Sequence, residues 1–177
     1  CKMIIEPIFE ADFEDCSYGF RPNRAAKDAM KAIKENLLQG KVEVLDADLS
    51  SYFDTIPHDK LMIVLKQRIS DNRILELIEK WLKCTIYEDG EFKSGKKRKE
   101  GTPQGGVISP LLANIYMHLI DKLVSSVNHI FSKLDVVIVR YADDFVLMGR
   151  RITEQVTAKL QEVLHRMGLT LNEKKTQ

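Results

Sequence analysis

Two short acidic clusters are the residues of this sequence best suited to chemistry. Asp46 lies near the end of the apolar segment 42–47 and Asp48 directly follows it, while Asp143 and Asp144 lie between two apolar segments. Carboxylates placed where buried strands meet cost several kcal/mol unless they are paired or bind a cation. Mg²⁺ is usually held by one or two carboxylates together with substrate phosphates. If one sheet brings the clusters together, the sequence predicts a phosphoryl-transfer site in which two such ions clamp the reacting oxygens.

An ordinary structural role is the alternative for both clusters. Aspartate is common in turns, where its side chain bonds to its own backbone, so an acidic pair alone does not indicate catalysis. The order Tyr141-Ala142-Asp143-Asp144 between two hydrophobic arms is more specific than a lone acidic pair.

The apolar periodicity predicts the elements that would position these acids. The predicted helices are 24–38, 61–65, 73–84, a helix that begins at an N-cap Ser109, and 153–167; the predicted strands are 42–47, 136–141, 145–148 and 169–171, with a further hairpin over 86–93. This order predicts an α+β domain, a βαββαβ core with a mostly antiparallel sheet and helices on one face.

Composition excludes several classes of protein. The chain has 177 residues, of which 44% are apolar, and 27 Lys+Arg against 26 Asp+Glu give a net charge of +1, which argues against disorder. It contains no run of about 18 apolar residues, so no membrane-spanning helix is expected. Three scattered cysteines fit neither a disulfide framework nor a zinc site. We expect a reducing compartment, a cytoplasm, with an organelle left open.

Ordered sequence blocks resemble the group II intron-encoded reverse transcriptase (maturase) family. The blocks are 18–24 (YGFRPNR), 47–56 (ADLSSYFDTI), 101–114 (GTPQGGVISPLLAN), 141–144 (YADD) and 168–176 (GLTLNEKKT). The resemblance implies a right-hand polymerase palm with partial fingers. Residues 1–41 would be partial fingers and early palm, and 42–177 the palm with a fingers insertion at about 60–105. The thumb and maturase regions would be absent, so we expect a segment of a longer protein.

The resemblance also implies a metal site. Asp48 and Asp143, helped by the backbone carbonyl of Leu49, would be the main ligands of two Mg²⁺ ions. Asp144 would lie beside them as electrostatic support. Asp46 matches no catalytic position, and we expect it to have only a structural role.

Four positions would contact the nucleotide or the templating pair. Phe53 would lie under the sugar and exclude a 2′-hydroxyl, although without the resemblance it would be assigned to the core. Gln104 and Gly105 would touch the templating base pair, and Lys175 would lie near the leaving pyrophosphate.

Cationic residues near these blocks are candidates for phosphate contacts. They are Arg21 and Arg24, flanked by aromatic residues that stack on bases or pack in the core, and the run Lys96-Lys97-Arg98-Lys99.

The resemblance implies an RNA-directed DNA polymerase. Its partners would be an RNA template, a DNA primer, deoxynucleoside triphosphates and group II intron RNA, with roles in splicing and retrohoming and none at a membrane. The alternative is an RNA-binding splicing maturase with weak or no polymerase activity; a cyclase or DNA-templated polymerase on the same palm is disfavoured by the YADD and PQGG pair. We also expect exposed apolar surface to favour a homodimer.

Overall fold

The structure is a computed structural model that describes residues 1–88, 91–93, 98–103, 105–172 and 176. Its elements are α1 (Lys2–Glu10), α2 (Ala26–Leu38), β1 (Glu43–Ala47), α3 (Tyr52–Thr55), α4 (His58–Lys66), α5 (Asn72–Leu82), β2 (Ile86–Glu88), β3 (Glu91–Lys93), α6 (Ser109–Ser125), α7 (Ile130–Lys133), β4 (Val137–Tyr141), β5 (Asp144–Gly149) and α8 (Glu154–Met167). No helix among the described residues has the length and apolar character needed to cross a membrane.

The main sheet is antiparallel, with strand order β1-β5-β4. Ala47 pairs with Phe145 between β1 and β5, and Tyr141 pairs with Asp144 across the β4–β5 turn. The predicted strand 169–171 is reduced to an antiparallel bridge between Leu49 and Leu171. Residues 170–172 therefore lie beside the segment that follows β1.

Helix α6 forms the centre of the main hydrophobic core. It packs against α1, α4, α7 and β4, so residues 111–117 are buried on all sides of the helix and not along one stripe. Burying so many apolar side chains supplies the main driving force for folding, because each large aliphatic side chain contributes about 1.5–3 kcal/mol.

Helix α2 covers the other face of the sheet, whereas the sequence predicted helices on one face only. Ala29 of α2 packs with Val139 of β4 and Met148 of β5 in a separate small cluster. The reason is the alternation of the strands: Val139 points to α2 while its neighbour Ile138 points into the main core, so both faces are apolar.

The structure confirms one predicted helix end and corrects another. Gly168 ends α8 in the left-handed conformation with φ 78°, as its position after the apolar repeat predicts. Ser109 was predicted as the N-cap of α6, but it is the first helical residue and Ile108 is the cap. The hydroxyl of Ser109 donates to the carbonyl of Pro103 at 2.7 Å, so it fixes the preceding loop instead.

Candidate active site

A largely polar cavity of about 430 Å³ opens where β1 ends and the β4–β5 turn begins. It is lined by Asp48, Leu49, Ser50, Ser51, Tyr52, Phe53, Asp54, Asp143 and Asn172. The structure thus brings Asp48 and Asp143 to the same cavity although they lie in distant parts of the sequence.

Pairing on both sides of β1 sets the position of Asp48. On one side, the register of Ala47 with Phe145 places the next residue beside the β4–β5 turn. On the other, the backbone N–H of Asn172 donates to the carbonyl of Asp48 at 2.8 Å, and its side-chain Nδ2 donates to Asp48 Oδ2 at 3.0 Å. Asp48 is therefore fixed by backbone and side-chain contacts together.

Asp144 lies away from this cavity. It is the exposed first residue of β5 and lines a separate cavity beneath α2 that also contains Asp46. Asp143 belongs to the two-residue turn, whereas Asp144 is already paired with Tyr141 in the sheet, so the two neighbouring acids line different cavities. Across the described part of the chain, no three Asp, Glu, His or Cys side chains group as a metal site would require. The convergence of all three acids that the sequence suggested is not found; two of them share the cavity.

Phe53 forms part of the cavity wall from the short helix α3. Its ring makes edge contacts with Phe20 at 6.4 Å and with Tyr52 at 5.6 Å between centroids. Tyr52 is buried, and its hydroxyl donates to the carbonyl of Ala113 at 2.7 Å, which ties α3 to α6. Burial raises the pKa of Tyr52, so the phenol keeps its proton for that bond.

The glycine-rich loop that precedes α6 lies against α3. The N–H of Thr102 donates to the carbonyl of Phe53 at 2.6 Å, and the N–H of Gly101 donates to the carbonyl of Ile56 at 2.8 Å. Gly101 has φ 84°, and a Cβ there would lie 2.8 Å from the carbonyl oxygen of Asp54, so only glycine fits. Further along the loop, Gly105 is exposed with φ 77°.

A buried polar network lies directly behind the β4–β5 turn, and the sequence analysis missed it. Arg140 is fully buried and donates to both carboxylate oxygens of Asp121, to Asn114 Oδ1, to Ser17 Oγ and to the carbonyl of Ala142. Burial alone would lower the pKa of Arg140, but the Asp121 charge and hydrogen bonds outweigh it and raise that pKa. The sequence did contain a signal for this network: a charged arginine near the end of an apolar strand, and an aspartate within an apolar helix that could pair with it.

Arg21 belongs to a second internal hydrogen-bond network and does not lie on an open surface. Its side chain is 3% exposed, donates to Glu10 and to the carbonyls of Glu14 and Ser17, and stacks on Phe13. A template contact by Arg21 would require these bonds to break, so its placement indicates a structural role.

Arg24 remains partly accessible. It pairs with the exposed Asp15, lowering the pKa of that carboxyl through a hydrogen bond and its charge, and it lies over the ring of Tyr18.

Arg98 and Lys99 lie at a different cavity, of about 680 Å³, beside α4 and α5. Lys66 and Lys83 also line it, together with Glu79 and other residues. The remaining predicted contacts, Lys96, Lys97, Gln104 and Lys175, lie outside the described residues.

Sequence comparison decides the family of this chain. The sequence model described as "Reverse transcriptase (RNA-dependent DNA polymerase)" matches residues 1–177. The chain belongs to the reverse transcriptase family. This reverse transcriptase chain is 37% identical over 190 residues to protein YkfC of Escherichia coli, covering 90% of the chain and 49% of the relative. It is 42% identical over 123 residues to the group II intron-encoded protein LtrA of Lactococcus lactis, covering 70% of the chain and 20% of the relative.

Comparison with solved structures confirms the fold. Telomerase from Candida tropicalis, solved with a TWJ fragment of telomeric RNA, superposes with a TM-score of 0.70 at 14% identity, over 99% of this reverse transcriptase chain and 32% of the telomerase. An apo, truncated telomerase from the same species gives a TM-score of 0.62 at 17% identity, over 99% of the chain and 38% of the telomerase. The predicted α+β polymerase palm is therefore confirmed at the level of the fold.

Proposed function

We propose that the chain supplies the polymerase centre of a group II intron-encoded protein and copies RNA into DNA. The observation that carries this proposal is the shared cavity of Asp48 and Asp143, with Phe53 in its wall. The likeness to LtrA, whose name identifies it as a group II intron-encoded protein, supports the intron-related part of the proposal. The reaction would join a primer 3′-oxygen to the α-phosphate of a deoxynucleoside triphosphate and release pyrophosphate.

The donor set of the cavity fits magnesium. Asp48 and Asp143 offer hard carboxylate oxygens, Leu49 offers a backbone carbonyl, and the polar wall leaves room for substrate phosphates. When bound, Mg²⁺ would supply charge neutralisation for the phosphates. The amide of Asn172 orients Asp48, a contact of the kind that fixes a ligand before it meets a metal.

The other residues of the cavity would act by positioning. Phe53, braced by Phe20 and Tyr52, would present a flat apolar surface to the sugar of the nucleotide. The bond from Thr102 to the carbonyl of Phe53 would hold the glycine-rich loop beside the same nucleotide. Correct placement of reactants removes a large part of the barrier to such a reaction, and little covalent chemistry is asked of the protein.

The partners follow from this reaction and stay proposals. They are an RNA template, a DNA primer, deoxynucleoside triphosphates and group II intron RNA, with Arg24, Arg98 and Lys99 as described candidates for phosphate contacts. The domain boundaries, the cytoplasmic location and the homodimer expected from the sequence remain predictions.

Primer extension with matched acidic variants tests the proposal. We expect Mg²⁺-dependent extension of a DNA primer on an RNA template, a loss of about 100-fold or more in Asp143→Asn because a preorganised charge is removed, and retained RNA binding. Asp46→Asn, an exposed acid outside the cavity, is the control and should extend normally.

The assay is run on the chain and on a chimera in which the chain replaces the matching segment of LtrA. Near-normal extension by Asp143→Asn, or no extension by the chain and the chimera alike, would contradict the proposal. Splicing rescue by a chimera that extends no primer would favour the RNA-binding maturase instead.

A further inference from the structure

The turn that presents Asp143 has an unusual backbone. Ala142 has φ 61° in the left-handed region, which a residue with a Cβ adopts only when its surroundings hold it there. Ala142 is also buried, so its conformation is set by the groups packed around it. The question is which groups hold it.

Arg140 contacts this turn directly from behind. Its Nη1 donates to the carbonyl of Ala142 at 2.7 Å and to Asn114 Oδ1 at 2.8 Å, while Nη2 donates to Ser17 Oγ at 2.7 Å and to Asp121 Oδ2 at 2.6 Å. The guanidinium fork thus joins the turn to helix α6 and to the segment 16–19.

The segment 16–19 locks the same turn from a second direction. The N–H of Arg140 donates to the carbonyl of Cys16 at 2.8 Å, and the N–H of Tyr18 donates to the carbonyl of Arg140 at 2.9 Å. Asn114 Nδ2 donates to the carbonyl of Gly19 at 2.7 Å. A Cβ on Gly19 would lie 2.3 Å from the backbone nitrogen of Ala142, so the two backbones are in direct contact.

We propose that Arg140 is a positioning residue that holds the Ala142 peptide in place and so directs Asp143 into the cavity with Asp48. The proposal rests on the proposed function, because Asp143 has a catalytic role only if the chain is a polymerase. Asp121 compensates the charge of the buried arginine, and the remaining N–H donors each need an acceptor as well. Those acceptors are the carbonyl of Ala142 in the turn, Ser17 Oγ in the segment that contacts the turn, and Asn114 Oδ1, whose amide also binds the carbonyl of Gly19. The bonds that satisfy the arginine therefore fix the turn.

The test removes the clamp without leaving an unpaired buried charge. The double variant Arg140→Met/Asp121→Leu replaces both ions by apolar side chains, a change that proteins often tolerate. Arg140→Lys is the second variant, because it keeps the charge opposite Asp121 but loses the fork. The matched control is Arg68→Met/Asp12→Leu, which removes a solvent-accessible ion pair that takes no part in the contacts described above.

The first readout is amide hydrogen exchange without nucleotide or metal. We expect exchange at residues 142–144 to become about 10- to 100-fold faster in the clamp variants and to stay unchanged in the control. The second readout is primer extension, where we expect kcat to fall about 10- to 100-fold with the KM for the nucleotide unchanged, a range typical for loss of a residue that orients a ligand.

The outcomes separate this proposal from the one on which it rests. Clamp variants with normal exchange and normal kcat would overturn the positioning role even if Asp143→Asn abolishes extension. If neither the unaltered chain nor its LtrA chimera extends a primer, the proposed function fails, and the exchange data alone decide whether Arg140 holds the turn. If the double variant does not fold, Arg140→Lys decides by the same two readouts.

Discussion

Phe53 borders the cavity of Asp48 and Asp143 and is held by edge contacts with two other rings. We expect Phe53→Val to admit ribonucleotides, because the smaller side chain leaves room for a 2′-hydroxyl. The ratio of kcat/KM for a deoxynucleotide to that for the matching ribonucleotide should fall about 10-fold or more, as for other losses of steric discrimination. Incorporation of the deoxynucleotide is the internal control. An unchanged ratio would remove Phe53 from the specificity site.

Gly19 offers a stability test at the back of the same site. A Cβ there meets the backbone of Ala142, which cannot move aside, so Gly19→Ala should lower the free energy of unfolding by about 2 kcal/mol or more. Gly40→Ala is the control: it has φ 86° but nothing within 4 Å, so it should cost only the backbone strain of about 1–2 kcal/mol. Urea unfolding measures both. A smaller loss at Gly19 than at Gly40 would contradict the close contact.

Among single residues, the sequence correctly placed those whose position follows from a local pattern or from the family resemblance. Asp48, Asp143 and Phe53 share one cavity as their blocks suggested. Asp48 and Asp143 each follow a predictable strand, whereas Phe53 reaches the cavity from α3, which periodicity did not predict. Arg21 was assigned to the template from its charge and flanking aromatics, but Glu10 and buried carbonyls surround it. The partners of Arg140 were missed for the same reason: three-dimensional contacts decide whether a charge is exposed.

Between elements, α6 and the segment around Phe13 meet at His118. The ring of His118 lies edge-on to Phe13 at 5.5 Å, and burial lowers its pKa below 6.5, with Lys122 and Arg140 acting in the same direction against Asp121 and Glu14. The folded protein therefore favours neutral His118. Its stabilising effect is present above pH 6.5 and is lost as the pH falls through the lower, folded-state pKa, because the unfolded chain takes up the proton first.

His118→Gln tests this acid sensitivity. We expect the loss of unfolding free energy between pH 7 and pH 5 to be smaller in His118→Gln than in the unaltered chain. His165→Gln, on the exposed face of α8, is the matched control and should leave the difference unchanged. Chemical denaturation at the two pH values measures it. An equal pH dependence in His118→Gln would show that the histidine makes no contribution.

Periodicity predicted the helices and strands where the repeating segment was long or strongly apolar. Helix α2 and the strands β4 and β5 lie within two residues of their predicted ranges. The sequence missed α1, α3 and α7, because α1 contains Pro7 and the other two are one turn long, too short for a repeat to show. The side of the sheet that α2 covers depends on packing between Ala29 and β4, which no local pattern encodes.

For the whole molecule, the sheet is completed by contacts between distant parts of the chain. Beside the Leu49–Leu171 bridge, the N–H of Ser50 donates to the carbonyl of Thr170 at 3.0 Å, and Leu169 and Leu171 are both buried in the main core. The sequence predicted a final strand at residues 169–171. It did not predict the segment with which that strand pairs, because this depends on how distant parts of the chain pack together. Asp48 thus depends on a segment more than a hundred residues away for its position.

Leu171→Ala tests that dependence. Removing a buried leucine side chain from the edge of the core should lower the free energy of unfolding by about 2–3 kcal/mol, the lower part of the range for such substitutions. Exchange of the Ser50 amide should also become faster, because its acceptor is the carbonyl of Thr170. Thr170→Ala, at an exposed neighbouring side chain, should stay within about 0.5 kcal/mol. Equal stability of the two variants and an unchanged Ser50 exchange rate would show that the packing of Leu171 is not needed to hold Asp48.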